Sequence, residues 1–174
     1  MIKVIKLGLD EEFTAEVQDN LGKMYSKVEY EEGYTLVFQG KFEEGLEKLL
    51  PLEEKYGDWW NLLFMIGLAY KNMGEMDKAK EYYEKILRMK PQQVDTLVEL
   101  ALCEASSLNM NRAIELLEAA AKLKEDPEIL CNLGMAYLNV GNFDDANYYI
   151  ERAYELNPED EVTVACKREL AKYI

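Results

Sequence analysis

Apolar residues recur along most of this chain at intervals of three and four, the spacing of an amphipathic α-helix. Beyond residue 60, Leu63, Ile66 and Tyr70 keep that spacing until Asn72–Met73–Gly74 breaks it. Ala79, Tyr83, Ile86 and Leu87 resume it, and Pro91 stops it. The same phrasing returns later, with Leu130, Leu133 and Tyr137, a break at Gly141, then Ala146, Ile150 and Ala153, and a stop at Pro158. Asp126–Pro127–Glu128 opens that stretch with an N-cap, a proline at the first helical position and an acid in the first turn. The pattern predicts helix pairs joined by short turns.

Sliding the chain along itself shows that the pairs are copies. A shift of 34 residues carries Gly33 onto Gly67, Gly40 onto Gly74, Phe42 onto Met76 and Gly45 onto Ala79. Ala101, Met110 and Ala113 mark a third copy, one residue shorter, whose deletion falls near Lys124–Pro127. Four copies result, over residues 26–59, 60–93, 94–126 and 127–160. A mid-helix glycine costs about 1 kcal/mol against alanine, so Gly67 and Gly134 need compensation. Close approach of the paired helices supplies it, with Tyr70 and Tyr137 filling the space alongside and Cys103 acting as a small buried filler. Pro51 falls inside the second helix of the first copy, where a proline forfeits a hydrogen bond and predicts a kink. Trp59 and Trp60 stand at the next repeat boundary, as expected of packing between repeats.

At these residues the chain resembles the tetratricopeptide repeats: a large apolar residue, a Leu-Gly-like pair and a Tyr in helix A, then Ala, an aromatic, Ala and Pro through helix B. The second and fourth copies match nearly throughout. The third carries Glu104 where Tyr is usual and Glu125 in place of Pro, and the first matches poorly before Gly40. The resemblance implies an all-α, right-handed superhelical solenoid of antiparallel helix pairs. Residues 1–25 are expected to form an N-terminal segment and capping helix, and residues 161–174 a C-terminal capping helix.

The resemblance also implies a concave groove lined by the second, fifth, sixth and ninth positions of each A helix. In the first copy these are Lys27, Tyr30, Glu31 and Tyr34, and in the second Asn61, Phe64, Met65 and Leu68. In the third they are Asp95, Val98, Glu99 and Leu102, and in the fourth Glu128, Cys131, Asn132 and Met135. Family members that clamp the acidic tail of chaperones carry basic residues there. Here only Lys27 is basic, so the groove is apolar with acids interspersed.

Charge narrows the choice of partner. A net charge of −14 argues against nucleic acid and anionic membrane surfaces and favours a basic or amphipathic protein segment. No apolar run approaches the roughly 18 residues of a transmembrane helix, and a cytoplasmic location is expected. Histidine is absent, which removes imidazole from any catalytic or zinc site. Cys103, Cys131 and Cys166 are odd in number and widely spaced, so reduced, buried thiols are expected. No phosphate loop, dinucleotide fingerprint or nucleophile elbow is present, so neither a catalytic site, a metal nor a cofactor is expected.

The reading is therefore a scaffold or adaptor that holds a peptide or helix of another protein. A bacterial secretion-type chaperone is the alternative, since such chaperones share this outline. The segment MIKVIKLG, apolar with Lys3 and Lys6, also suits an acidic groove and offers a route to self-association.

Overall fold

The computed structural model describes residues 27–174, and every regular element among them is an α-helix. In chain order they are α1 (Lys27–Phe38), α2 (Phe42–Tyr56), α3 (Trp60–Asn72), α4 (Met76–Met89), α5 (Val94–Ser106), α6 (Met110–Leu123), α7 (Pro127–Asn139), α8 (Phe143–Leu156) and α9 (Glu161–Leu170). The fold is an all-α helical-repeat solenoid. The capping helix expected within residues 1–25 lies outside the described residues.

The chain divides into two compact units, one ending at Met89 and the other beginning at Lys90. In the first, α1 pairs with α2 and α3 with α4, while α2 packs on α3 and α1 reaches α3. In the second, α5 pairs with α6, α6 packs on α7, α7 pairs with α8, and α9 lies against both α7 and α8. That last arrangement covers the apolar surface that a final helix pair otherwise leaves in water.

Each helix pair closes with the same turn. Backbone N–H groups of Lys41, Glu75, Asn109 and Asn142 donate to the carbonyls of Leu36, Tyr70, Glu104 and Tyr137 at 2.9, 2.9, 2.9 and 3.0 Å. Such a bond requires the residue before each donor to be left-handed. Gly40, Gly74 and Gly141 meet this with φ of 76°, 83° and 77°. The third turn has no glycine: Leu108 adopts φ 63° instead, with 89% of its surface exposed. The sequence pattern gave no sign of this, because a leucine there reads as ordinary apolar spacing.

Start and stop signals behave as the sequence predicts at α7, where the Asp126 carboxylate accepts from the Glu128 N–H at 3.0 Å and Pro127 occupies the first turn. α2 runs on through Pro51, which sits on its exposed side. Trp59 and Trp60 are both buried, more fully than boundary residues need be.

The close approach at the mid-helix glycines is real, but its partner differs from the expected one. A Cβ on Gly67 would stand 2.8 Å from Cε1 of Tyr83, and one on Gly134 would stand 2.5 Å from Cγ1 of Ile150. Tyr83 and Ile150 are equivalent positions of helix B, and both are fully buried. Tyr70 and Tyr137 stack instead on Tyr82 and Tyr149, with ring centroids 5.8 and 5.6 Å apart. A planar ring at the edge of the pair suits a residue whose hydroxyl must reach water or an acid.

Candidate functional site

The A helices α1, α3, α5 and α7 carry the residues that the repeat register assigns to a groove, and the structure treats them unequally. In α1, Tyr30 is buried while Glu31 and Tyr34 are half-buried. The Tyr30 ring lies 4.3 Å from that of Trp59, tilted by 47°, and 6.0 Å from that of Tyr34. Its hydroxyl has no hydrogen-bond partner among the described residues, and burial, with the Tyr34 hydroxyl as a lesser cause, pushes its pKa far above the ordinary tyrosine range.

In α3, Asn61, Phe64 and Met65 are fully buried, and only Leu68 keeps partial exposure. Asn61 Oδ1 accepts from the Trp59 indole N–H at 2.9 Å, and the Phe64 ring lies 5.7 Å from that of Tyr83. These three side chains are interior, not an open surface. The stretch WNLLFMIGLAYKN is apolar nearly all round, and such a helix is buried on every side.

In α5, Asp95, Val98, Glu99 and Leu102 are all half-buried. Their spacing of three, four and seven residues puts them on one helix face. Asp95 accepts from the Gln93 side-chain amide at 3.3 Å. In α7, Glu128 is exposed, Asn132 and Met135 are half-buried, and Met135 packs on the core shared by α7, α8 and α9. Cys131, the remaining groove position of that copy, is covered by α9, where its thiol donates to Thr163 Oγ1 at 3.5 Å.

A tether below this face recurs without having been expected. Asn72 Nδ2, Ser106 Oγ and Asn139 Nδ2 donate to the carbonyls of Leu68, Leu102 and Met135 at 2.8, 2.9 and 2.8 Å. In three copies the ninth-position residue is thus fixed by a polar side chain one turn on. The recurrence of Asn, Ser and Asn at one register position was the available signal.

Two further clusters involve the B helices. Glu53 accepts from Tyr82 Oη at 2.7 Å and from Lys85 Nζ at 3.0 Å, beside an open cleft of about 440 Å³ that Glu81, Glu84 and Arg88 help to line. Burial first, then the Glu53 carboxylate, raises the Tyr82 pKa. Glu118 accepts from Tyr137 Oη at 2.6 Å, with the same direction of shift for the same two causes. In copy three Glu104, standing where Tyr is usual, is buried and accepts from Asn109 Nδ2 at 3.1 Å, which replaces the ring's packing with a polar contact across the turn. Among the described residues, no group of three or more His, Cys, Asp or Glu is placed to hold a metal ion, and no helix is long and apolar enough to cross a membrane. All three cysteines are free and buried, as expected.

Comparison with known proteins bears on the same helices. Tetratricopeptide repeat models match residues 61–93 and 127–160. Photosystem I assembly protein Ycf3 of Prochlorococcus marinus (strain NATL2A) is 31% identical over 127 residues, covering 67% of this chain and 73% of that protein. Among solved structures, MamA AMB-1 superposes with a TM-score of 0.71 at 23% identity, over 83% of this chain and 88% of that one. The first TPR of Spaghetti (RPAP3), solved bound to an HSP90 peptide, superposes with a TM-score of 0.61 at 19% identity, over 65% and 90%. These last two show likeness of fold. With the repeat models on its second and fourth helix pairs and a relative matched over most of its length, the chain belongs to the tetratricopeptide repeat family.

Proposed function

We propose that this protein is a non-catalytic binding module that holds a basic, amphipathic segment of another protein, in the manner of an assembly chaperone. The observation that carries this reading is the face of α5. Val98 and Leu102 offer apolar surface there beside the carboxylates of Asp95 and Glu99, all at partial exposure and within two helical turns. A helix with apolar residues at every third or fourth position and Lys or Arg between them is complementary to such a face in shape and charge. Glu128, Asn132 and Met135 of α7 extend the same chemistry, and Glu31, Tyr34 and Leu68 are its counterparts in the first unit. Tyr30, Asn61, Phe64 and Met65 support the groove from within, as core.

Family membership supports protein binding as the general activity, because tetratricopeptide repeat proteins bind other proteins. The relatives named as photosystem I assembly proteins support a role in bringing a complex together. An acidic ligand such as the peptide SRMEEVD named in the Spaghetti structure is disfavoured here by charge alone.

The test is fluorescence anisotropy with two labelled helical peptides of matched length, one Lys/Leu-patterned and one Glu/Leu-patterned. The basic peptide should bind, with affinity falling as salt rises, and Glu99→Lys with Val98→Asp should weaken it at least tenfold while leaving the helical circular dichroism intact. Equal binding of both peptides, or no effect of the double substitution, would overturn the reading.

A further inference from the structure

The second unit buries two thiols in one apolar core. Cys131 lies in the middle of α7 and Cys166 in α9, and both belong to the apolar core formed by α7, α8 and α9. Thr163 stands one helical turn before Cys166, on the same side of α9, and its hydroxyl meets the Cys131 thiol at 3.5 Å. That hydroxyl and its backbone N–H both donate to the Asp160 carboxylate, at 2.8 and 2.7 Å, which fixes the start of α9 over Cys131. Cys103, by contrast, lies in α5 in a slot where the second and fourth copies carry Ala69 and Ala136.

We propose that Cys131 and Cys166 form a redox-active dithiol, and that a peroxide converts it to a disulfide that staples α9 onto α7. In the first step the Cys131 thiolate attacks one peroxide oxygen; the O–O bond breaks, hydroxide leaves and takes a proton, and Cys131 becomes a sulfenic acid. In the second, the Cys166 sulfur attacks the Cys131 sulfur; the S–O bond breaks, and the departing hydroxide takes the Cys166 proton as water. Two thiols and one hydrogen peroxide thus give one disulfide and two waters, two electrons passing from sulfur to oxygen.

The surroundings assign the two roles. The neighbouring Cys166 is the largest influence on Cys131 and lowers its pKa against the opposing effects of burial and of Asp160 and Glu128. Cys166 shifts upward through its proximity to Cys131 and its burial, so Cys131 is the thiol that ionises and meets peroxide first. Cys131 is 1% exposed and Cys166 9%, so peroxide reaches the pair through local opening of α9.

The experiment treats the full chain with hydrogen peroxide under native conditions, quenches it, and counts free thiols by maleimide mass shift in denaturant. Two of the three thiols should be lost, a Cys131–Cys166 peptide should appear in a non-reducing digest, and dithiothreitol should reverse both changes. The stapled protein should melt roughly 5 °C or more above the reduced one, because the bond closes a long loop. Cys166→Ser should halt the reaction at a sulfenic acid on Cys131 that dimedone traps, and Cys103→Ser should change nothing. Retention of all three thiols, oxidation of Cys103 at an equal rate, or crosslinks formed only between chains would each overturn the proposal.

Discussion

α3 and α5 hold the same place in successive repeats, yet α3 buries nine of its thirteen residues and α5 six. Four register positions lose burial, Trp60, Asn61, Phe64 and Met65 against Val94, Asp95, Val98 and Glu99, and one gains it, Tyr70 against Glu104. Where α3 has Phe64 and Met65, α5 has Val98 and Glu99. An aromatic and a thioether gain from leaving water on every side. A carboxylate leaves water only with a donor, as Glu104 does with Asn109, because burying one uncompensated costs several kcal/mol; Glu99 stays half-buried. One repeat template therefore yields a structural helix in the first unit and a candidate recognition helix in the second.

The contrast can be broken most directly by truncation at the fifth position. Phe64→Ala should destabilise the protein by about 3–5 kcal/mol through the cavity it leaves. Val98→Ala should cost less than about 1 kcal/mol, since its side chain already faces water in part. Urea unfolding of the two variants side by side checks this, and equal losses would mean that α5 is as structural as α3. A smaller effect sharpens the comparison at a position the two units share. Gly134→Ala should destabilise by about 1–3 kcal/mol, the overpacking outweighing the gain in helix propensity, because the new Cβ meets both Ile150 and, at 3.2 Å, the Ala146 carbonyl. Loss of thermal stability is the readout, and a neutral outcome would show that the α7–α8 pair can spread. The smallest expected change is a gain. Leu108→Gly should stabilise by about 1 kcal/mol by relieving the left-handed backbone at the third turn, visible as a higher midpoint in urea; a loss there would mean that the exposed leucine contributes something the turn geometry does not reveal.

Much of this architecture was readable from residue spacing. The self-similarity anchored on Gly67, Ala101 and Gly134 led to helix pairs, and the N-cap at Asp126 marked where α7 starts. The site was less legible, for physical reasons. Register says which way a side chain points along its own helix, but not whether that side is covered. Phe64, Met65 and Asn61, which the repeat register assigns to a groove, are fully buried; the all-round apolarity of α3 was the clue that outweighed register. Tyr83 rather than Tyr70 fills the gap at Gly67 because helix B, not helix A, faces that glycine. The meeting of Cys131 with Cys166 depends on where α9 docks, and spacing within the chain carries no trace of that.

The repeated turn has a consequence for how such chains change length. Every described pair closes with the same backbone bond across a left-handed residue at the same place, and within each unit the main helix contacts join near neighbours in sequence. Inserting or deleting one whole hairpin therefore rewrites a single seam and leaves the remaining seams untouched. The shortened third copy, with leucine in the glycine's seat, shows how much local imperfection this modular wiring tolerates.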